Sequence, residues 1–284
     1  MITTLAVLTR IFSNSVANLY QKKSGEISSP LETNLISYLI MSLICVLPAL
    51  FIDWSIYSIN FWINVFFAGF LCTIGTIALI EALKIGELSV LAPINSYKSV
   101  IGLISAIIVL HEFPPLKDFI CIVLIIIGSY FVLDNEKQKF SIQTFFRKDI
   151  RLRIFALLCS GTEAAFLKKI IIMSSYKISL ILWCFSGFLC SLLIFIIKKP
   201  SSLFSTNTNK NLNNCLIIGL MLLLMQLSTN FVFSKIEVGS ALALFQLSSL
   251  VSLFFGYKYY HEKNMKKKII GTLIMIGSAA IILI

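Results

Sequence analysis

Acidic residues are scarce in this chain. Its 284 residues hold 13 Asp and Glu, and all charged types together make up 13% of the sequence. A soluble domain carries about 25% charged residues, so this chain lacks the charge to cover a water-facing surface. Hydrophobic residues reach 58% and mean hydropathy is +0.92. Soluble enzyme, secreted domain and disordered tail are excluded. Most of the chain has lipid as its solvent.

Histidine is almost missing, with two copies, His111 and His261. Each precedes a glutamate, but a zinc-protease helix needs a second His four residues on. Those positions hold Pro115 and Met265, so the signature fails and both pairs read as hydrated span ends. No CxxC spacing occurs among the seven cysteines, which argues against a zinc knuckle or a redox pair. Cys45, Cys72, Cys121, Cys159, Cys184 and Cys190 lie inside apolar runs and Cys215 opens another; they read as small buried hydrophobes. A GxSxG elbow and a phosphate-cradling glycine loop are also missing. No cofactor or metal is expected, and ATP-driven pumping by this chain is excluded.

Positive charge is present in excess, with 24 Lys and Arg and a net charge of +11. It lies mostly in short gaps between apolar runs, where it sets membrane orientation rather than reading phosphates. Nucleic acid is therefore not an expected partner. The first twenty residues lack a basic leader and a small-residue cleavage site, and Arg10 interrupts them. They read as a retained first span rather than a signal peptide.

Apolar runs fall at about residues 2–20, 31–52, 61–82, 88–110 and 115–134, then 150–172, 178–197, 214–234, 239–257 and 267–284. Each is long enough to cross a hydrocarbon core of roughly 30 Å. Period-two alternation is missing, which argues against a β-barrel. The expectation is an all-α integral membrane protein with ten transmembrane helices. The polar stretch from Asp134 to Asp149 divides them five and five. His111-Glu112 and His261-Glu262 close the fourth and ninth runs, and Gly128-Ser129 and Gly277-Ser278 sit late in the fifth and tenth. Five is odd, so two such halves enter the membrane in opposite directions, the inverted-repeat pattern of transporters. The halves are 1–134 and 150–284, with a basic connecting loop at 135–149.

These motifs also carry a resemblance. Glu87-Leu-Ser-Val-Leu-Ala-Pro93, then His111-Glu112, then Gly128-Ser129 resembles the EamA pattern of the drug/metabolite transporter superfamily. The second half repeats it as Val238-Gly-Ser-Ala-Leu-Ala-Leu244, His261-Glu262 and Gly277-Ser278. The resemblance covers nearly the whole chain. It implies two inverted five-helix repeats in a bacterial inner membrane and secondary transport of a small organic solute. The family's substrates include amino acids, nucleobases, other metabolites and drugs, so the resemblance selects none of them.

A charged side chain near the bilayer centre costs about 2.5–3.5 kcal/mol on insertion scales. Arg10, Lys98 and Glu163 stand inside spans and call for a function or a partner. Arg10, Asn14 and Asn18 recur every four residues and share one helix face. Asn95 and Lys98 mark a similar stripe on the fourth span, Gln226 and Asn230 on the eighth, and Gln246 on the ninth. These nine residues are the candidate solute-binding set. Lys98, with Arg10, suits an anionic group; Glu163 suits a substrate amine or a coupling proton. Together they favour a zwitterionic metabolite such as an amino acid, and a Lys98–Glu163 ion pair is the structural alternative. Interhelical amides also act as plain glue. A non-transporting membrane enzyme or sensor, and a channel, stay open as other readings. Pro93 and Pro48 are candidate kinks. Trp54, Tyr57, Trp62, Tyr257, Tyr259 and Tyr260 lie near span ends, as an aromatic belt requires.

Orientation divides the two lines of argument. On the side of the termini the links hold five basic residues, Lys117, Lys168, Lys169, Lys177 and Lys235; the other side holds seventeen. The positive-inside rule then places both termini outside, whereas the EamA resemblance implies cytoplasmic termini.

Overall fold

The computed structural model describes residues 1–86, 97–133, 146–198, 208–248, 251, 270–271, 273–278 and 281, without the side chains of 129–133 and 208–210. Helices in chain order are α1 (Ile2–Ile27), α2 (Pro30–Ala49), α3 (Ile59–Ile85), α4 (Tyr97–Leu110), α5 (Leu116–Leu133), α6 (Lys148–Met173), α7 (Tyr176–Lys198), α8 (Thr208–Phe233) and α9 (Val238–Phe245). Helical residues recur at 270–271 and 273–278. No strand occurs among the described residues. The all-α architecture agrees with the sequence.

Four helical stretches are long and apolar enough to cross a membrane: Pro30–Ala49, Ile59–Ile85, Tyr176–Lys198 and Asn211–Phe233. α1 and α6 have 26 residues each, about 39 Å at 1.5 Å per residue, but interrupt their apolar character with buried polar groups. Large side chains such as Leu43, Leu47, Phe66, Phe70, Leu193 and Ile197 face outward, as lipid contact allows. Residues 87–96, which hold Asn95 and Pro93, lie outside the described set, as do Tyr257, Tyr259, Tyr260 and His261.

Local chemistry explains several boundaries. Ser29 opens α2 with a capping box: its hydroxyl accepts from Glu32 N at 3.2 Å, and Glu32 Oε2 accepts from Ser29 N at 3.1 Å. Pro30 follows at the first helical position, where no backbone donor is needed. α4 ends differently. His111 takes a left-handed conformation, φ 57, and its N–H donates to Ile107 O at 3.2 Å, which is the left-handed helix stop.

The ninth run, read as continuous over 239–257, is interrupted. Gln246 N donates to Ala243 O at 3.0 Å and Leu247 N to Leu244 O at 3.1 Å. These are tightened i−3 bonds, so the helix ends at Phe245 and turns through 246–247. The sequence does not announce this break, because no proline or glycine marks it.

Packing follows a two-fold pattern. α3 packs most extensively on α6, and α8 on α1; α2 crosses α7; α3 meets α7 much as α8 meets α2. Exchanging the first three helices for α6, α7 and α8 maps these pairs onto one another, as two related halves require. Without a hydrophobic driving force between helices in lipid, close van der Waals contact has to hold them. At the α4–α6 crossing a Cβ on Gly161 would lie 2.6 Å from Ile101 Cγ2 and 3.3 Å from Gly102 N. Only glycine permits that approach.

The two ends of the bundle are tied by different chemistry. At one end, Asn211 Nδ2 donates to Ser24 Oγ at 2.6 Å and Lys148 Nζ lies 3.7 Å from Glu81. At the end holding the N-terminus, Trp54, Tyr57, Phe61 and Trp62 form an aromatic group, with Tyr57 and Phe61 stacked at 4.2 Å. This agrees with the belt positions of Trp54, Tyr57 and Trp62.

Candidate functional site

An internal cavity of ≈ 110 Å³ lies between the two halves. α1 lines it with Arg10, Asn14, Asn18 and Gln21, successive turns of one helix face. α4 contributes Lys98, one residue from its start, and α8 contributes Gln226. α6 supplies Arg153, Ser160 and Glu163; α3 supplies Thr76. Tyr38 from α2 and Trp183 from α7 complete the polar wall. Both halves therefore contribute ionisable groups to one space.

Glu163 is 7% exposed and is already engaged. Trp183 Nε1 donates to Glu163 Oε1 at 2.7 Å. Trp183 in turn packs on Tyr38, with ring centroids 5.0 Å apart. The Tyr38 hydroxyl and Cys72 Sγ lie 2.7 Å apart. Behind the ring stands Gly187, where an added Cβ would collide with Tyr38 Cε1. Glycine at that position sets the depth of the tyrosine.

No direct Lys98–Glu163 ion pair forms. Among the described residues the ion pairs are Arg147–Asp149, Lys148–Glu81 and Lys168–Glu112. Lys98 interacts with Glu163 only through space, and with Arg10 and Arg153 in the same way.

Arg10 is 6% exposed. Its guanidinium carbon stands 4.3 Å over the Phe245 ring, a cation–π geometry. Its Nη1 makes one long contact, 3.5 Å, to Phe245 O, a carbonyl at the point where α9 ends. Its Nε is buried without a hydrogen-bond partner. A guanidinium has five N–H donors, and most of these find no protein acceptor here.

Of the nine candidate residues, Arg10, Asn14, Asn18, Lys98, Glu163 and Gln226 meet at the cavity. Asn230 lies behind the wall, fully buried, accepting from Gln226 Nε2 at 2.8 Å and donating to Tyr176 O at 3.3 Å. Gln246 is also buried, and its Nε2 donates back to Leu242 O at 3.3 Å. Neither amide is among the cavity-lining residues. Asn95 lies outside the described residues.

Sequence reasoning missed Trp183, Tyr38 and Arg153. Trp183 carried a signal: it sits inside a span, unlike Trp54 and Trp62, and a buried indole N–H needs an acceptor. Arg153 falls inside the run at 150–172 but was counted among the seventeen basic link residues; α6 begins at Lys148, which sets it about 7.5 Å along the helix.

A second polar cluster ties α6 to the α4–α5 and α8–α9 links at the end of the bundle that holds the N-terminus. Lys168 Nζ pairs with Glu112 Oε1 at 2.9 Å and donates to Ile236 O at 2.7 Å. Glu112 Oε2 accepts from Val238 N at 3.2 Å, and Asp118 Oδ2 accepts from Ser240 Oγ at 2.8 Å. His111-Glu112 is therefore more than a hydrated span end. Its glutamate joins the α4–α5 link to α6 and to the start of α9.

The profile of the EamA-like transporter family matches residues 1–134 and, a second time, residues 150–284. No curated protein matches the sequence. Among solved structures, one titled only as the crystal structure of a protein is similar in fold. Its TM-score is 0.69 at 12% identity, over 98% of this chain and 95% of that one.

Proposed function

The chain belongs to the EamA-like transporter family, and from that premise we propose that it is a secondary carrier moving a small organic solute by alternating access. The observation that carries this reading is the cavity to which both halves contribute ionisable side chains. In inverted-repeat carriers the solute site lies between the repeats, and one repeat rocks against the other around it. Arg10, Asn14 and Asn18 hold the solute from α1, Lys98 from α4, and Gln226 from α8. Glu163, held by Trp183, is the residue through which a proton couples to transport.

Rocking needs an end that opens and closes. The Glu112–Lys168 pair spans elements of both halves and reaches the α8–α9 link. It serves as the gate at the end holding the N-terminus. Breaking it exposes the cavity on that side while the opposite end closes.

Counterflow tests the proposal. Proteoliposomes preloaded with unlabelled solute should accumulate labelled solute transiently above its equilibrium level. A channel equilibrates the label without that overshoot, and a membrane enzyme or sensor moves none.

A further inference from the structure

The cavity's charge is lopsided. Among the described lining residues, Arg10, Lys98 and Arg153 carry positive charge and only Glu163 can carry negative charge. Arg153 has interactions of its own, so the argument rests on Arg10 and Lys98 against Glu163. Glu163 accepts one hydrogen bond from Trp183 on Oε1, so only part of the one described lining carboxylate is open to a substrate amine. Neither Arg10 nor Lys98 has a carboxylate within ion-pair distance among the described residues. Arg10 is 6% exposed with its Nε unpartnered.

A buried guanidinium with unmet donors is expensive unless something else supplies the acceptors. A planar carboxylate or a phosphate fits its donor fork. An ammonium on the solute would instead meet two cations and a single, partly engaged carboxylate. We infer that the solute is a small organic anion, a carboxylate or phosphate without a cationic group, bound between Arg10 and Lys98. This departs from the amino-acid-like expectation and rests on the carrier reading for its site. The neutral amides Asn14, Asn18 and Gln226 then hydrogen-bond the rest of the solute and fix its orientation.

Purified full-length protein in detergent, with Trp54→Phe and Trp62→Phe, leaves Trp183 beside the cavity as its sole tryptophan, excited selectively at wavelengths too long for tyrosine to absorb. We expect succinate and glycerol phosphate to change its emission saturably, and alanine and putrescine to leave it unchanged. Arg10→Gln and Lys98→Gln should each weaken anion binding at least tenfold; Lys98→Arg, which keeps the charge, should restore most of it. Arg10→Lys serves where Arg10→Gln fails to fold, with reduced but measurable anion binding expected. The same panel is run in counterflow. Saturable response and counterflow by alanine, with the anions inert, overturn the anion assignment and leave the carrier reading standing. Anion binding with no counterflow by any solute upholds the site and overturns the carrier reading. Silence in both assays overturns both.

Discussion

A single indole N–H, donated by Trp183 to Glu163 at 2.7 Å, holds the one lining carboxylate found among the described residues. Trp183→Phe keeps the ring against Tyr38 but removes the donor. Leaving a buried acceptor unmet costs about 1–3 kcal/mol, so thermal melting should fall while the protein still folds. Glu163→Gln keeps the shape and removes the titrating group. Wild-type transport should depend on pH, and this variant should transport with a flat pH profile; an unchanged profile would remove Glu163 from coupling. At this scale, legibility followed periodicity. Arg10, Asn14 and Asn18 could be read because intervals of four place side chains on one face. Gln246 is not among the cavity-lining residues; it follows a helix break that the sequence of α9 does not mark. Arg153 was missed because a basic residue near a span end reads as link charge, although α6 sets it in the cavity wall.

The links between helices carry their own tests. His111 holds φ 57 at the stop of α4, a conformation that glycine adopts freely and β-branched residues resist. His111→Gly should keep or slightly raise stability. His111→Val should lower it by about 1–2 kcal/mol, measured as melting temperature in detergent. Lys168 and Glu112 are only 12% and 19% exposed, so removing one leaves a poorly solvated partner. Lys168→Met and Glu112→Gln should each destabilise the protein, and the double variant should recover part of the loss.

Glu237 adds a pH dependence to the same cluster. Burial raises its carboxyl above the ordinary glutamate range; Glu112 and Asp118 push the same way and Lys168 opposes them. The folded protein therefore holds this proton more tightly than the unfolded chain. The resulting stabilisation is complete below the ordinary range, about pH 4.3, and is lost as pH rises through the raised folded value. Glu237→Gln should remove that decline, seen as a flatter melting temperature between about pH 4 and 8. The sequence could not reveal this cluster. Glu112, Lys168 and Glu237 are far apart along the chain, and only the packing of two links against α6 brings them together.

For the whole molecule, the all-α membrane class was legible because scarce charge and long apolar runs leave few alternatives. The family was legible because the two halves share motifs at matching places. A Cβ at Gly128 would meet Gly271 O at 2.8 Å, so this motif glycine marks a close helix approach. Orientation is a property of the whole chain; by the positive-inside rule the count of five against seventeen basic residues, with Arg153 of the cavity wall among the seventeen, predicts termini outside. All seven cysteines are free and buried, so a variant lacking them is a clean background for labelling. A cysteine placed in residues 135–149 should be protected from an impermeant thiol reagent on intact cells, and one in residues 54–60 should react. The reverse pattern would place the termini in the cytoplasm.

The same background gives the most direct test of alternating access around the Arg10–Lys98–Glu163 cavity. Asn18→Cys puts one thiol on the cavity wall of α1, in protein reconstituted with uniform orientation. The account predicts that an impermeant reagent applied to either face of the membrane reaches this thiol, and that a transported solute shifts the rates at the two faces in opposite directions. Labelling from one face alone, unaltered by solute in a variant that still transports, would contradict it.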